Sequence, residues 1–301
     1  MTRNSINMEL AELKDFEDLP AIDMADIQNS CFAQTVNSFF CILTKYVCNK
    51  VGEDKLNPFD YFDVNERYIY ELYLNYQALE FCLESIDLGM KFISDYSKRD
   101  YMRPDFVPFD KYVVYHCDVI YHKISTIHYV LLKLINAVYN LGLQNDRCKY
   151  KDIEKRKTDI DNDMLFELID AYKTLTTKIN DQRNSSSHDG KLKIPTLIDI
   201  SAYLKLCEIK EKYPHIYTQD KNYERNTSQY NSQIYHAKDK IIKELSVHRY
   251  NVFCITRCML CTMYDKLLYT ISTRCPDVFK DYEDQIKDFQ RLCNAPCTKD
   301  N

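Results

Sequence analysis

"FDKYVVYHCDVIYHKISTIHYVLLKLINAVYNLGL", residues 109–143, decides the fold. Apolar and ring-bearing side chains fall at 109, 112, 113, 116, 119, 120, 124, 127, 131, 134, 135 and 138, the three-and-four spacing of one wide helical face. Pro108 and Asp110 stand near its start, and Gly142 takes a helix-stop position at its end. A face that wide has to be buried by other helices of similar length.

The remainder of the chain offers those helices. The spacing predicts them over 24–49, 60–97, 161–182, 196–212 and 222–272, the last broken near 246–249, with a terminal helix near 277–292. Turn-rich segments occupy 50–59, 98–108, 143–160, 183–195 and 213–222, and no segment alternates with period two for long enough to make a strand. The expected fold is all-α, a helical bundle of long helices. Residues 1–55 are expected to form an N-terminal helical extension and 56–301 the main helical domain.

Composition narrows the chemistry. With 301 residues, 45% of them apolar, the chain can bury a sizeable core. Its four glycines are isolated at 52, 89, 142 and 190, so neither a phosphate-cradling loop nor a dinucleotide fingerprint can be written. A net charge of −5 supplies no global basic field, so any nucleic-acid contact must be local. Thirteen cysteines, an odd number scattered from Cys31 to Cys297, read as reduced thiols. The opening twenty residues lack the apolar core of a signal peptide, and a cytoplasmic location is expected. The most apolar stretch, "NVFCITRCMLCTMYDKLLYTI", is interrupted by Arg257, Asp265 and Lys266, so no membrane span is expected.

Several motifs have ordinary explanations. Cys254, Cys258 and Cys261 carry a C-x3-C-x2-C spacing that could hold an iron–sulfur cluster, but they recur at helical intervals and are expected to pack as small apolar residues. Asp159, Asp161 and Asp163 alternate as in a calcium loop, yet Met164 stands where the turn needs Gly. These carboxylates instead suit the N-terminus of the 161–182 helix. His116, His122 and His128 are six apart and rotate around their helix, and His236 and His248 are isolated, so no metal is expected. The basic stretch 143–157 reads as a solvated connector.

"DQRNSSSHDG", residues 181–190, is different. Arg183 offers a planar, permanently charged fork for a phosphate, and His188 can move a proton near neutrality. Asn184 can orient or polarise a neighbour. Together they suit attack of a ribose 2′-hydroxyl on its own phosphodiester, with no cofactor. The plain alternative is a helix end running into a polar loop that holds a histidine.

"RNSSSH" at 183–188 resembles the R-N-x-x-x-H signature of the HEPN superfamily, α-helical bundles that include metal-independent endoribonucleases. The preceding helices, 115–143 and 164–182, are similar in character and order to those leading into that motif, and the likeness spans roughly residues 60–272, nearest to the larger Cthe-type subgroup. The resemblance implies Arg183 and His188 as the catalytic pair, Asn184 as their support, and a homodimer whose two motifs face one another over single-stranded RNA. It also implies a setting in defence or stress response, with an antitoxin or defence-system partner. Gly190 stands where some members carry a modifiable Tyr, which puts that mode of control in doubt. Lys191 and Lys193 would supply local positive charge to the RNA. Members that have lost activity serve as binding modules, so a non-catalytic module binding RNA, a nucleotide or a partner protein is the rival expectation.

Overall fold

The computed structural model describes residues 11–12, 19–51, 58–96, 107, 109–144, 148–189, 194–198, 205, 209, 213 and 223–294, and the backbone alone of 51, 178, 182–189, 223–231 and 288–294. Among the described residues the chain is a helical bundle without strands. Its helices are α1 (Met24–Gln28), α2 (Cys31–Val51), α3 (Val64–Asp95), α4 (Phe109–Val138), α5 (Tyr150–Glu154), α6 (Lys157–Ile160), α7 (Asp163–Asp189), α8 (Tyr223–Arg274) and α9 (Pro276–Asn294), with a 3-10 turn at Pro58–Tyr61. None of them is long and apolar enough to cross a membrane.

The helix boundaries have local causes. Asp63 caps α3: its carboxylate accepts from the amides of Asn65 and Glu66 at 2.8 Å, and Glu66 reaches back to the Asp63 amide at 2.8 Å. Asp23 and Asp26 form the same reciprocal box on α1. α4 stops four residues before Gly142. Asn140 already takes a left-handed φ of 51° before Gly142 at 69°, and the Asn136 side chain clasps the Leu143 backbone in both directions at 3.0 Å. α7 begins after Asp161 turns left-handed, and Asn162, rather than a carboxylate, caps it by accepting from the Leu165 amide at 3.0 Å. Asp159 and Asp163 pair instead with Arg156 at 3.3 Å and Lys157 at 3.7 Å.

Two sequence expectations change here. α8 runs unbroken through 246–249, because Leu245, Val247 and Val252 are buried on it and sustain the helix there. The basic stretch at 143–157 is not wholly solvated, since Cys148 and Ile153 are buried beneath it. The predicted helix at 196–212 lies mostly outside the described residues, which hold one helical turn at 195–198.

The chain divides into two units. The second comprises Asp23–Glu80, Tyr129–Leu168 and Thr256–Asn301. In it α2 packs against α9 and the 3-10 turn. Phe39 meets the Tyr282 ring at 4.4 Å, Thr35 and Tyr282 share a hydroxyl hydrogen bond of 2.9 Å, and Phe40 stacks on Tyr73 at 3.8 Å. Buried hydroxyls answer the carbonyls that end α4: Tyr68 donates to Ala137 at 3.0 Å and Thr270 to Val138 at 2.7 Å.

The first unit comprises Met1–Ile22, Phe81–His128 and Ile169–Ile255. Gly89 lets α3 approach α4 closely, since a Cβ there would stand 2.8 Å from Ile120 Cγ1. Arg249 on α8 grips the Asp87 carboxylate with two nitrogens, donates to the Ile22 carbonyl and lies over the Phe253 ring at 4.2 Å. The Asn251 carboxamide bonds both the N–H and the carbonyl of Ala11, at 2.9 and 3.0 Å.

Candidate functional site

The polar stretch singled out in the sequence lies at the C-terminal end of α7. Within the first unit that helix buries Tyr172, Leu175 and Ile179, and Tyr172 holds it to α4. Tyr172 donates to the Ile124 carbonyl at 2.9 Å, and His128 stacks parallel to the Tyr172 ring at 5.7 Å. About two turns beyond Tyr172, Asn180 accepts from the Ser125 hydroxyl at 2.8 Å. A helix held this firmly at one end continues beyond its last apolar contact, since each added residue contributes one hydrogen bond to a nucleus already formed.

That continuation corrects the predicted boundary. α7 does not end at 182 but runs to Asp189, so Arg183, Asn184 and His188 stand on its last turns rather than in a loop. Helical geometry then fixes their relation. Asn184 and His188 are four apart and extend the row that begins at Asn180. Arg183 extends the row of Tyr172, Thr176 and Ile179. Five residues of helix separate Arg183 from His188 by about 140° around the axis. Lys191 and Lys193 lie outside the described residues.

The first unit holds a second polar group that sequence reading missed. Cys117 and Tyr121 are one turn apart on α4, as Glu244 and His248 are on α8, and the Tyr121 and His248 rings meet edge to face at 6.1 Å. Burial pushes the Cys117 thiol up to about 12, helped by the charges of Glu244 and Asp118. Burial also raises Tyr121 and Glu244, Lys240 opposing it at Glu244. Cys117 and Tyr121 are thereby held in their neutral forms, which suits an internal contact and makes Cys117 a poor nucleophile. The only sequence signal was a pair of i, i+4 polar residues on each of two helices.

Two histidines of α4, His116 and His128, are likewise shifted toward the neutral form. His128 is lowered to about 4, by burial first and the nearby Lys173 charge second. His116, set 4.4 Å from the Tyr112 ring and 5.1 Å from the Phe92 ring, is lowered by burial.

The cysteine series departs from the expected core packing. Cys254 and Cys258 are half-buried and Cys261 is exposed, because the i, i+4, i+7 row lies at the margin of the buried face of α8. Among the described residues, no group of three or more His, Cys, Asp or Glu is placed to hold a metal ion. Compared with known proteins, the chain matches no family model, no curated protein and no solved structure.

Proposed function

We propose that the chain is a metal-independent endoribonuclease of HEPN type, acting in the cytoplasm on single-stranded RNA in a defence or stress response. The observation that carries the reading is the Arg183-Asn184-x3-His188 pattern at the end of α7, directly beyond the Asn180–Ser125 anchor.

The chemistry follows from the residue types. His188 takes the proton of a ribose 2′-hydroxyl, whose oxygen attacks the adjacent phosphorus. The bond from phosphorus to the 5′-oxygen breaks, and that oxygen receives a proton from a second imidazolium. The products are a 2′,3′-cyclic phosphate and a 5′-hydroxyl. Arg183 offsets the charge that builds on the phosphoryl oxygens. One copy has one such histidine, and its Arg183 and His188 positions diverge by about 140° around α7. A homodimer with the two motifs facing each other supplies both the base and the acid, and sets the arginine of one copy beside the histidine of the other. Lys191 and Lys193 add local positive charge for the RNA backbone, and an antitoxin or another defence protein is the partner expected to restrain it.

The test is labelled single-stranded RNA with the purified chain in EDTA, beside His188→Ala and Arg183→Ala. The wild-type chain is expected to cleave, and each variant to lose at least about 100-fold. Equal cleavage by all three would mean contamination and end the catalytic reading. Binding without cleavage by the wild-type chain would leave it as an RNA-binding module.

A further inference from the structure

α3 carries two apolar faces. One is buried, through Leu72, Tyr76, Leu79, Leu83, Ile86 and Ile93. The other faces solvent and is as regular: Glu71, Leu74, Ala78, Phe81, Ser85, Leu88 and Phe92 follow one another at alternating steps of three and four. Leu74, Phe81, Leu88 and Phe92 are 46%, 61%, 51% and 42% exposed, far more than a row of large apolar side chains on a monomer's surface ordinarily shows. Alternating steps of three and four are the seam of a coiled coil, with Leu74, Phe81 and Leu88 at d and Ala78, Ser85 and Phe92 at a.

Within the first unit the two flanks of this seam differ. On one side Gly89 draws α4 in, Lys123 stands 4.3 Å above the Phe81 ring, and Tyr112 lies beside Phe92. On the other side stand Glu84 and Lys91, one heptad apart at g positions, both exposed and in no ion pair among the described residues. Opposite charges spaced one heptad apart on one flank are complementary to themselves when the helix is turned end for end.

We propose that the chain self-associates through this seam, α3 of one copy lying antiparallel against α3 of a second. The charges set the register. Placing Glu84 against Lys91 of the second copy makes two reciprocal ion pairs about a two-fold axis. The same register sets Phe81 opposite Phe92 of the second copy, and the small Ser85 opposite the larger Leu88. A parallel pairing would place Glu84 opposite Gly89 and leave both charges without partners. α4 lines the same flank in each copy, and the pair of α3–α4 hairpins closes as a four-helix arrangement. The proposal does not rest on the ribonuclease reading; the homodimer that reading calls for would form about this same two-fold axis.

The test is sedimentation equilibrium of the full chain from about 1 to 100 μM, the range in which a contact of this size is populated. The expected result is a dimer. Leu88→Glu is expected to be monomeric with an unchanged helical circular-dichroism spectrum, since residue 88 is exposed. Glu84→Lys sets like charges together twice and is expected to weaken dimerisation at least about ten-fold. Adding Lys91→Glu to it re-creates both pairs and is expected to restore the wild-type constant. A monomeric wild-type chain, a dimer that survives Leu88→Glu, or a charge swap no better than Glu84→Lys alone would each overturn the proposal. Rescue by the swap also separates a second copy from any other helical partner, whose charges would not change with it.

Discussion

Arg249 and Asp87 meet fork to fork, the Arg249 Nη2 lying 3.0 Å from the second carboxylate oxygen of Asp87, while a third nitrogen of the same guanidinium holds the Ile22 carbonyl. The Arg249 side chain is about a fifth exposed and that of Asp87 about a third, which places the pair between the surface and interior extremes. Arg249→Ala is expected to cost about 2 kcal/mol, read as a shift of the urea midpoint at constant slope. Arg249→Lys should recover less than half of that, because a point charge cannot serve both oxygens and a carbonyl together.

Stability should depend on pH through His128. Its folded value lies near 4 and its unfolded value near 6.5, so between those limits the unfolded chain binds a proton that the folded chain refuses. The contribution of His128 to stability is therefore complete above about 6.5, falls as the pH drops and is gone below about 4, a loss on the order of 3 kcal/mol. Urea titrations of the wild-type chain and His128→Asn at pH 4.5 and 7.5 check this. The difference between the two proteins should shrink at the lower pH, and a constant difference would exclude His128 as the titrating group.

Gly89→Ala sets two effects against each other. Alanine favours the helix by about 1 kcal/mol, but its methyl would meet Ile120 Cγ1 at 2.8 Å in a packed contact. The clash is expected to win, leaving the variant less stable by about 1 kcal/mol. Ile120→Ala removes both crowding carbons, Cγ1 and Cδ1, so Gly89→Ala made in that background should stabilise by about 1 kcal/mol instead of destabilising.

Thiol labelling should follow burial. Cys31, Cys41 and Cys261 are exposed, whereas Cys82 and Cys117 are buried, with burial raising both of those thiols. Iodoacetamide at pH 8 is expected to modify the exposed three first, and Cys117 only after denaturant is added. Early loss of the Cys117 thiol in mass spectra of the native protein would contradict the packing of α4 on α8.

Much of the bundle was legible because apolar spacing and caps coincide. The face running from Phe109 to Val138 and the buried row from Leu165 to Ile179 both carry their own periodicity. Illegible points are those where tertiary contact overrides local preference. Ser185 to Ser187 discourage a helix, yet α7 continues through them once Tyr172 and Asn180 anchor it. Likewise α8 passes through 246–249, with Arg249 held in place by Asp87. The outward seam of α3 escaped because its ring-rich sequence reads as one helix, and only burial separates its two faces. At the motif, sequence supplies the residue types and helical phase their angular relation.

The hydrogen bonds between Asn251 and Ala11 carry a further consequence. One carboxamide offers a peptide-like donor and acceptor to a segment some 240 residues away in sequence, and so acts as a single rung of a β-ladder inside a helical protein. The amide of Ala11 thereby becomes a remote gauge of α8: its hydrogen exchange should slow or quicken with the integrity of that helix around Asn251. Replacing Asn251 with Leu, similar in size but without the amide, should silence the gauge while leaving the helix in place.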